Sequence, residues 1–241
     1  MAESASFAGF ASRSDTTASL RHPAVIRITH WINALSFIAL LVSGIAILLS
    51  HPRLYWGETG NVATPSLIDL PLPFVLANQN GWARYLHFQA AWLALLNGLV
   101  YVLSGLLTRH FRKSLLPAWG EISWRSVVQS IVNHARIRRR SEEESLAYNV
   151  LERITYSIVI FILFPLAIWT GLAMSPAITS VFPTLVLILG GQQSARTIHF
   201  FVSCFLAMFL VIHIAMVCLA GFGTCMRPMI TGYSAAKRTE V

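Results

Sequence analysis

Four long apolar stretches dominate the sequence and limit the folds that the chain can adopt. They cover roughly residues 29–50, 86–108, 154–174 and 198–221, and each is long enough to cross about 30 Å of hydrocarbon as a helix. Hydrophobic residues make up 55% of the chain and charged residues only 12%, which is too apolar for an ordinary soluble domain. The sequence therefore predicts an all-α integral membrane protein built as a four-helix bundle.

Basic residues are distributed unevenly among the connections between these stretches. The connection at 109–153 contains the runs RHFRK and HARIRRR, and both ends of the chain are also basic. The connections at 51–84 and 175–197 hold few Lys or Arg residues, although the whole chain has a net charge of +8. Because Lys and Arg collect in loops on the cytoplasmic side of a membrane, we expect both termini in the cytoplasm. This bias also accounts for the basic runs, so no nucleic-acid partner is expected.

Outside the four stretches, the sequence predicts two tails and one surface helix. Residues 1–20 are rich in Ala, Ser and Thr and are expected to form a disordered cytoplasmic tail, and residues 234–241 a second cytoplasmic tail. The membrane domain then covers residues 21–233. Within the 109–153 connection, apolar residues at helical spacing in ISWRSVVQSIVNHARIRRR indicate an amphipathic helix on the inner membrane surface.

Two histidines interrupt the last apolar stretch, in SARTIHFFVSCFLAMFLVIHIAMVCLAGF. His199 and His213 are fourteen residues apart, which places them within ~40° on one face of a helix and ~21 Å apart along its axis. Because successive helices alternate in direction, His87 is level with His199 near the outer end, and His30 is level with His213 near the inner end. Depth therefore predicts two pairs, His87 with His199 and His30 with His213.

Facing imidazoles on separate helices are typical of axial ligands to a haem iron. Ionisable side chains inside a membrane are costly and usually functional, so four histidines matched in depth favour ligands over side chains that only bond neighbouring helices. The sequence has three cysteines and no CxxCH motif, so covalently attached haem is not indicated. We therefore expect two haems b between the helices, with iron ligands drawn from His30, His87, His199 and His213.

An arginine precedes three of these histidines by three residues. The motifs are RITH, RYLH and RTIH, which place Arg27, Arg84 and Arg196 one turn nearer the adjacent membrane surface. These side chains could bind haem propionates, because guanidinium and carboxylate groups match well, or they could extend from helix ends into the lipid headgroups. The third helix opens with RITY, in which Tyr156 takes the place of a fourth symmetric histidine, and Pro165 predicts a kink further along it.

Six segments of the sequence resemble one family of membrane proteins. They are RITHW at the first helix, LYWGETGN in the outer loop, GWARYLHFQAAW at the second helix, YNVLERITY before the third, GGQQSARTIHF at the fourth and MRPMITG after it. Over about residues 20–233 the chain resembles the bacterial cytochrome b561 and nickel-hydrogenase-type cytochrome b family. Within it, the likeness is to the di-haem membrane subunits of hydrogenases, formate dehydrogenases and, most of all, thiosulfate-reductase-type enzymes with molybdopterin.

This resemblance implies a multi-pass subunit of the bacterial inner membrane. It would transfer electrons between the quinone pool and an oxidoreductase on the outer face, which is expected to be a molybdopterin enzyme. By position, the inner haem would be ligated by His30 and His213, and the outer haem by His87 and His199. Quinone would be a diffusible redox partner, with Arg27, Tyr156 and His134 as candidates on the inner side.

Three other readings of the sequence stay open. The first is a stand-alone cytochrome b561-like quinone oxidoreductase that acts on a small partner such as superoxide, and the second is the cytochrome b subunit of a nickel-iron hydrogenase. Some hydrogenase-type relatives have a fifth helix, whereas this sequence shows four, which makes the hydrogenase version less favoured. The outer loop with Tyr55, Trp56 and Trp82 offers a docking surface for a protein and favours a subunit over a stand-alone protein. The third reading is a transporter or structural anchor in which the histidines only bond neighbouring helices, and such a protein would hold no haem.

Overall fold

The computed structural model describes residues 23–61, 63–72, 80–108, 153–219 and 221–233. The two predicted tails, the predicted amphipathic helix at 109–153 and the quinone candidate His134 lie outside them. The described part of the chain contains all four predicted apolar stretches almost completely.

Four helices in this part of the chain are long and apolar enough to cross a membrane. They are α1 (Ala24–Ser50), α2 (Asn80–Leu107), α3 (Arg153–Ala173) and α4 (Gln192–Leu219). Large apolar side chains along them are exposed, for example Leu35, Leu106 and Val211, as expected for helices that face lipid. The prediction of an all-α membrane protein with four spanning helices is confirmed.

The connections between these helices contain short elements. After α1, strand β1 (Arg53–Leu54) pairs antiparallel with strand β2 (Ile68–Asp69), and Arg53 Nε donates to Asp69 Oδ2 at 3.1 Å across the ladder. Two short helices lie between α3 and α4, at Pro176–Thr179 and Thr184–Leu187. After α4, helix α5 covers Phe222–Thr231. With ten residues, α5 is too short to cross the membrane.

Helix α3 contains one turn of π-helix over Val159–Leu163, just ahead of Pro165. The N–H of Phe164 donates to the carbonyl of Val159, five residues back instead of four. Proline has no N–H and its ring conflicts with the preceding turn, so a widened turn at this point relieves the strain. The predicted irregularity at Pro165 therefore takes the form of one extra residue in the helix.

The four long helices pack as two antiparallel pairs. Among the described residues, backbone packing is dense between α1 and α2 and between α3 and α4, and sparse between the two pairs. At mid-depth an apolar cluster of Val159, Val202 and Leu206 links α3 to α4, and Phe37 of α1 packs against it. Side chains, rather than close backbone contact, therefore join the two halves of the bundle.

The outer loop after α1 is fastened to the first turn of α4. The carbonyl of Gly57 accepts hydrogen bonds from the N–H groups of Gln193 (3.0 Å) and Ser194 (3.2 Å), and the Gly57 N–H donates to Ser194 Oγ at 2.8 Å. Glu58 Oε2 accepts from the N–H of Gln192 at 3.3 Å. The first N–H groups of a helix have no partner within it, so the loop supplies the missing acceptors, including a carboxylate that suits the helix dipole.

Gly191 makes this close contact possible, and a side chain at this position should disturb it. A Cβ there would lie 2.6 Å from the Gly57 carbonyl oxygen and 2.5 Å from Glu58 Oε2, whereas a Cβ at Gly57 would meet nothing within 4 Å. Both glycines have positive φ, 112° and 99°, so either change to Ala costs at least about 1–2 kcal/mol of backbone strain. Only Gly191→Ala should add roughly 1–3 kcal/mol of overpacking.

Thermal unfolding of Gly191→Ala and Gly57→Ala in the same detergent measures this difference. The Gly191 variant should unfold at the lower temperature. Equal midpoints would show that the loop does not press against the start of α4.

Candidate functional site

The four intramembrane histidines meet in two pairs. The ring centres of His30 on α1 and His213 on α4 are 6.4 Å apart, with an angle of 58° between the ring planes. The ring centres of His87 on α2 and His199 on α4 are 6.2 Å apart, with an angle of 68°. Each pair joins a helix of the first half of the bundle to α4 in the second half.

The two pairs lie at different depths. Fourteen residues of α4 separate His199 from His213, which corresponds to about 21 Å of helix rise. The apolar cluster that includes Leu206 and the side chain of Phe37 occupies the space between these levels. The site thus has two polar levels, here called the inner pair (His30 and His213) and the outer pair (His87 and His199), separated by an apolar layer.

The spacing within each pair fits two axial ligands of one iron. A metal–imidazole bond is about 2 Å long, and a ring centre lies about 1.1 Å behind its nitrogen, so two imidazoles on opposite sides of one metal have centres roughly 6.3 Å apart. The observed 6.2 and 6.4 Å agree with this value. In the described ranges no three His, Cys, Asp or Glu side chains group together as ligands of a bare metal ion. Two imidazoles suffice for haem, because the porphyrin supplies the other four nitrogens.

Hydroxyl groups from neighbouring helices contact the outer pair. Ser43 Oγ lies 3.0 Å from His87 Nδ1, and Thr170 Oγ1 lies 2.8 Å from His199 Nδ1. Both hydroxyl residues are completely buried. Each is followed in the sequence by a glycine whose added Cβ would lie within 3.7 Å of the imidazole Cε1. The sequence reasoning missed Ser43 and Thr170, although a hydroxyl residue followed by glycine recurs in the outer half of α1 and α3.

Aromatic rings surround the inner pair. Phe209 stacks on His213 with ring centres 5.8 Å apart and 26° between planes, and Tyr156 meets His213 edge-on at 6.2 Å. Trp31 lies edge-on to His30 at 5.6 Å. Tyr156, which replaces histidine in the second copy of the RIT motif, therefore lies at the inner level beside the pair.

A buried amide ties α2 to α1 next to the inner pair. Asn97 Nδ2 donates to the backbone carbonyl of Thr29 at 2.8 Å and to Asn33 Oδ1 at 2.7 Å. Asn97 is 7% exposed, and Thr29 directly precedes His30. Hydrogen bonds between helices stabilise membrane bundles in the absence of a hydrophobic driving force, so this residue helps to fix the start of α1. Sequence reasoning missed it too, although LLNGL is a polar interruption in an apolar run.

Two of the predicted arginines lie near the outer pair, at the outer end of the bundle. Arg196 donates through Nη2 to the backbone carbonyl of His51, which follows α1. Burial, reinforced by the nearby guanidinium groups of Arg196 and Arg84, lowers the pKa of the His51 imidazole. No ion pair joins Arg84 or Arg196 to a carboxylate of the described residues. This end of the site is therefore electropositive and suited to carboxylate groups such as haem propionates.

The third arginine, Arg27, binds the end of α5. Its Nη1 donates to the carbonyl of Ile230 at 2.6 Å, and the neighbouring Trp31 Nε1 donates to the carbonyl of Met229 at 3.1 Å. A cation at a helix C-terminus is favourable because the last carbonyls have no partner within the helix. The Nε of Arg27 is buried and has no hydrogen-bond partner in the described part of the chain. Arg27 thus holds α5 against α1 and retains one buried donor for a further acceptor.

Comparisons with known proteins give one family and two relatives. The family model described as "Prokaryotic cytochrome b561" matches residues 21–232. The chain is 28% identical over 203 residues to the "Putative protein-methionine-sulfoxide reductase subunit YedZ1" of Azospira oryzae, covering 82% of this chain and 90% of that protein. It is 23% identical over 239 residues to the "Probable Ni/Fe-hydrogenase B-type cytochrome subunit" of Cupriavidus necator, covering 94% and 91%. No solved structure matches the chain.

Proposed function

The chain belongs to the prokaryotic cytochrome b561 family, and on that premise we propose that it passes electrons across the membrane through two haems b, one at each histidine pair. It is a multi-pass membrane cytochrome of the electron-transfer subunit type. The observation that carries the proposal is the spacing of the two pairs, with ring centres at 6.4 Å and 6.2 Å, about 21 Å apart in depth.

Under this proposal each residue of the site has a separate role. His30 and His213 hold the inner haem, and His87 and His199 the outer one. When bound, haem would supply a one-electron carrier at each pair, and two histidines per iron would favour electron transfer over oxygen binding. Arg84 and Arg196 bind the propionates of the outer haem. The buried Nε of Arg27 serves the inner one.

The electron donor or acceptor on the inner side is proposed to be membrane quinone. Oxidation of one quinol to quinone releases two electrons and two protons, so two successive one-electron transfers balance each turnover, and the reverse direction balances equally. Tyr156 and Arg27 lie at the inner level, near His213 and His30 respectively, where a quinone could exchange both electrons and protons.

The partner on the outer face is proposed to be the catalytic subunit of an oxidoreductase. Both relatives carry names of redox-enzyme subunits, one of a protein-methionine-sulfoxide reductase and one of a nickel-iron hydrogenase, which supports a redox-enzyme partner. A molybdopterin enzyme is our proposal, since the motifs resemble cytochromes that accompany such enzymes. A hydrogenase is the second candidate, favoured by the relative that spans 94% of this chain.

We propose the inner bacterial membrane as the location, with residues 1–20 and 234–241 as cytoplasmic tails of a 21–233 membrane domain. The basic runs of the 109–153 connection support this orientation. Reporter fusions at residue 241 and within 109–153 should be active only as cytoplasmic reporters, while a fusion within 61–66 should be active only as a periplasmic one. The opposite pattern would exchange the inner and outer sides, without changing the pairing of the histidines.

Single histidine substitutions test the two haem sites. The wild-type protein should contain two haems b per chain, and His30→Ala and His87→Ala should each retain about one. Each substitution leaves an iron with a single imidazole, while the other level is about 21 Å away and shares no ligand. His30→Ala should remove one redox component and His87→Ala the other, and both should stop electron transfer between quinone and the partner.

Pyridine haemochrome assays and redox titrations measure these outcomes. His110→Ala, which removes a histidine outside the four proposed ligands, is the control and should keep both haems. Depletion of the same component by both variants would contradict the pairing. A wild-type protein with one haem or none would contradict the function itself.

Purification from native membranes tests the partner. In mild detergent a tagged chain should carry with it a large oxidoreductase subunit, and molybdenum should be found by elemental analysis in the purified complex. Nickel without molybdenum would favour the hydrogenase alternative. A chain that purifies alone but is still oxidised or reduced by quinone would instead point to a stand-alone oxidoreductase.

A further inference from the structure

Two completely buried hydroxyl groups bond the outer pair of histidines in the same way. Ser43 on α1 contacts Nδ1 of His87 on α2, and Thr170 on α3 contacts Nδ1 of His199 on α4. Each contact joins the two helices of one antiparallel pair. In both cases the hydroxyl lies against Nδ1, and Nε2 is the other ring nitrogen.

The direction of these hydrogen bonds follows from a count of protons. A hydroxyl has one proton to donate and two lone pairs to accept with. Ser43 Oγ lies 2.6 Å from the carbonyl of Ala39, and Thr170 Oγ1 lies 2.7 Å from the carbonyl of Leu166. A carbonyl can only accept, so each hydroxyl proton points back to its own helix. The imidazole must then be the donor, with its proton on Nδ1.

An imidazole protonated at Nδ1 has its free lone pair on Nε2. The partner of the protonated nitrogen fixes which tautomer a histidine adopts and how its ring is turned. It also raises the basicity of the other nitrogen, and loss of such a partner at metal sites typically costs 10–100-fold in affinity. Ser43 and Thr170 are therefore placed to prepare the outer pair for a metal through Nε2.

The π-turn in α3 brings Thr170 to this position. The RIT motifs at the starts of α1 and α3 begin at residues 27 and 153, an offset of 126, whereas Ser43 and Thr170 differ by 127. The extra residue corresponds to the widened turn at Val159–Leu163. One added residue rotates the following helix by about 100° relative to an uninterrupted one. The turn therefore lets a hydroxyl occupy equivalent places in both halves of the bundle.

We propose that Ser43 and Thr170 are positioning residues of the outer haem, which hold His87 and His199 as Nδ1–H tautomers and tune the reduction potential of the iron. This inference rests on the proposed function, because it assigns a role to residues that act through the two proposed ligands. An Nδ1–H that donates to a hydroxyl makes Nε2 a stronger donor, which favours the oxidised iron. Removal of the hydroxyl should therefore raise the midpoint potential of the outer haem.

Thr170 allows a test that separates the hydrogen bond from packing. Thr170→Val keeps the shape and loses the hydroxyl, whereas Thr170→Ser keeps the hydroxyl and loses a methyl group. In redox titrations of the purified complex, Thr170→Val should raise the potential of the component that His87→Ala removes. A change of up to tenfold in the ratio of oxidised to reduced iron corresponds to at most about 59 mV. Thr170→Ser should stay at the wild-type potential.

Ser43 has a matched control on its own helix. Ser36 lies two turns earlier, is 2% exposed, and its Oγ has no hydrogen-bond partner in the described part of the chain. Ser43→Ala should raise the outer potential and shift the low-spin haem signal in electron paramagnetic resonance, and Ser36→Ala should change neither. If Thr170→Val loses the outer haem and Thr170→Ser keeps it, this result also supports the inference.

Four results would overturn the inference. Identical behaviour of Thr170→Val and Thr170→Ser would assign the effect to packing, and identical behaviour of Ser43→Ala and Ser36→Ala would remove the role of the hydroxyl. A wild-type protein without haem would overturn the proposed function together with this inference. Two haems with unchanged potentials in all variants would overturn the inference alone.

Discussion

The absence of water in the hydrocarbon core governs the arrangement of every polar group in this bundle. Lipid offers no hydrogen-bond partner, so a polar side chain at that depth is stabilised by a partner within the protein. The polar residues of α1 show the result: Thr29 and Ser43 are buried and donate to carbonyls of their own helix, while apolar side chains such as Leu35 face outward. The histidines are drawn inward by the same requirement. The exposed apolar side chains and the buried polar ones thus both follow from the surrounding hydrocarbon.

Much of the fold could be predicted from the sequence, because hydrocarbon imposes simple rules on length and composition. Four apolar stretches gave four spanning helices, which end within two residues of the predicted positions but begin up to six residues earlier. The meeting of His30 with His213 followed from helix rise and alternating direction, which need no knowledge of side-chain packing. Whether these histidines bind haem stays a prediction, since distance shows only that the site fits.

The remaining features depend on contacts between distant segments, which periodicity does not encode. Ser43 and Thr170 look like ordinary small residues in apolar helices until their helices are placed beside α2 and α4. The binding of the outer loop to α4 depends on the left-handed backbone of Gly191, and the capping of α5 depends on Arg27 reaching residue 230. The π-turn at Pro165 was expected only as an undefined kink. Apart from the π-turn, which is local, each of these features joins parts of the chain with no fixed sequence distance.

Helix α4 connects the inner pair and the outer pair mechanically. The helix provides one member of each histidine pair, and its first turn is fixed by hydrogen bonds to the outer loop. A continuous helix is stiff along its axis, so α4 fixes the distance between the inner pair and the outer pair. Bending or sliding of α1 and α2 could loosen one pair or the other without altering that separation. An inserted or deleted residue between His199 and His213 would instead change that separation by about 1.5 Å and turn one histidine by about 100° relative to the other, so both pairs could not stay aligned.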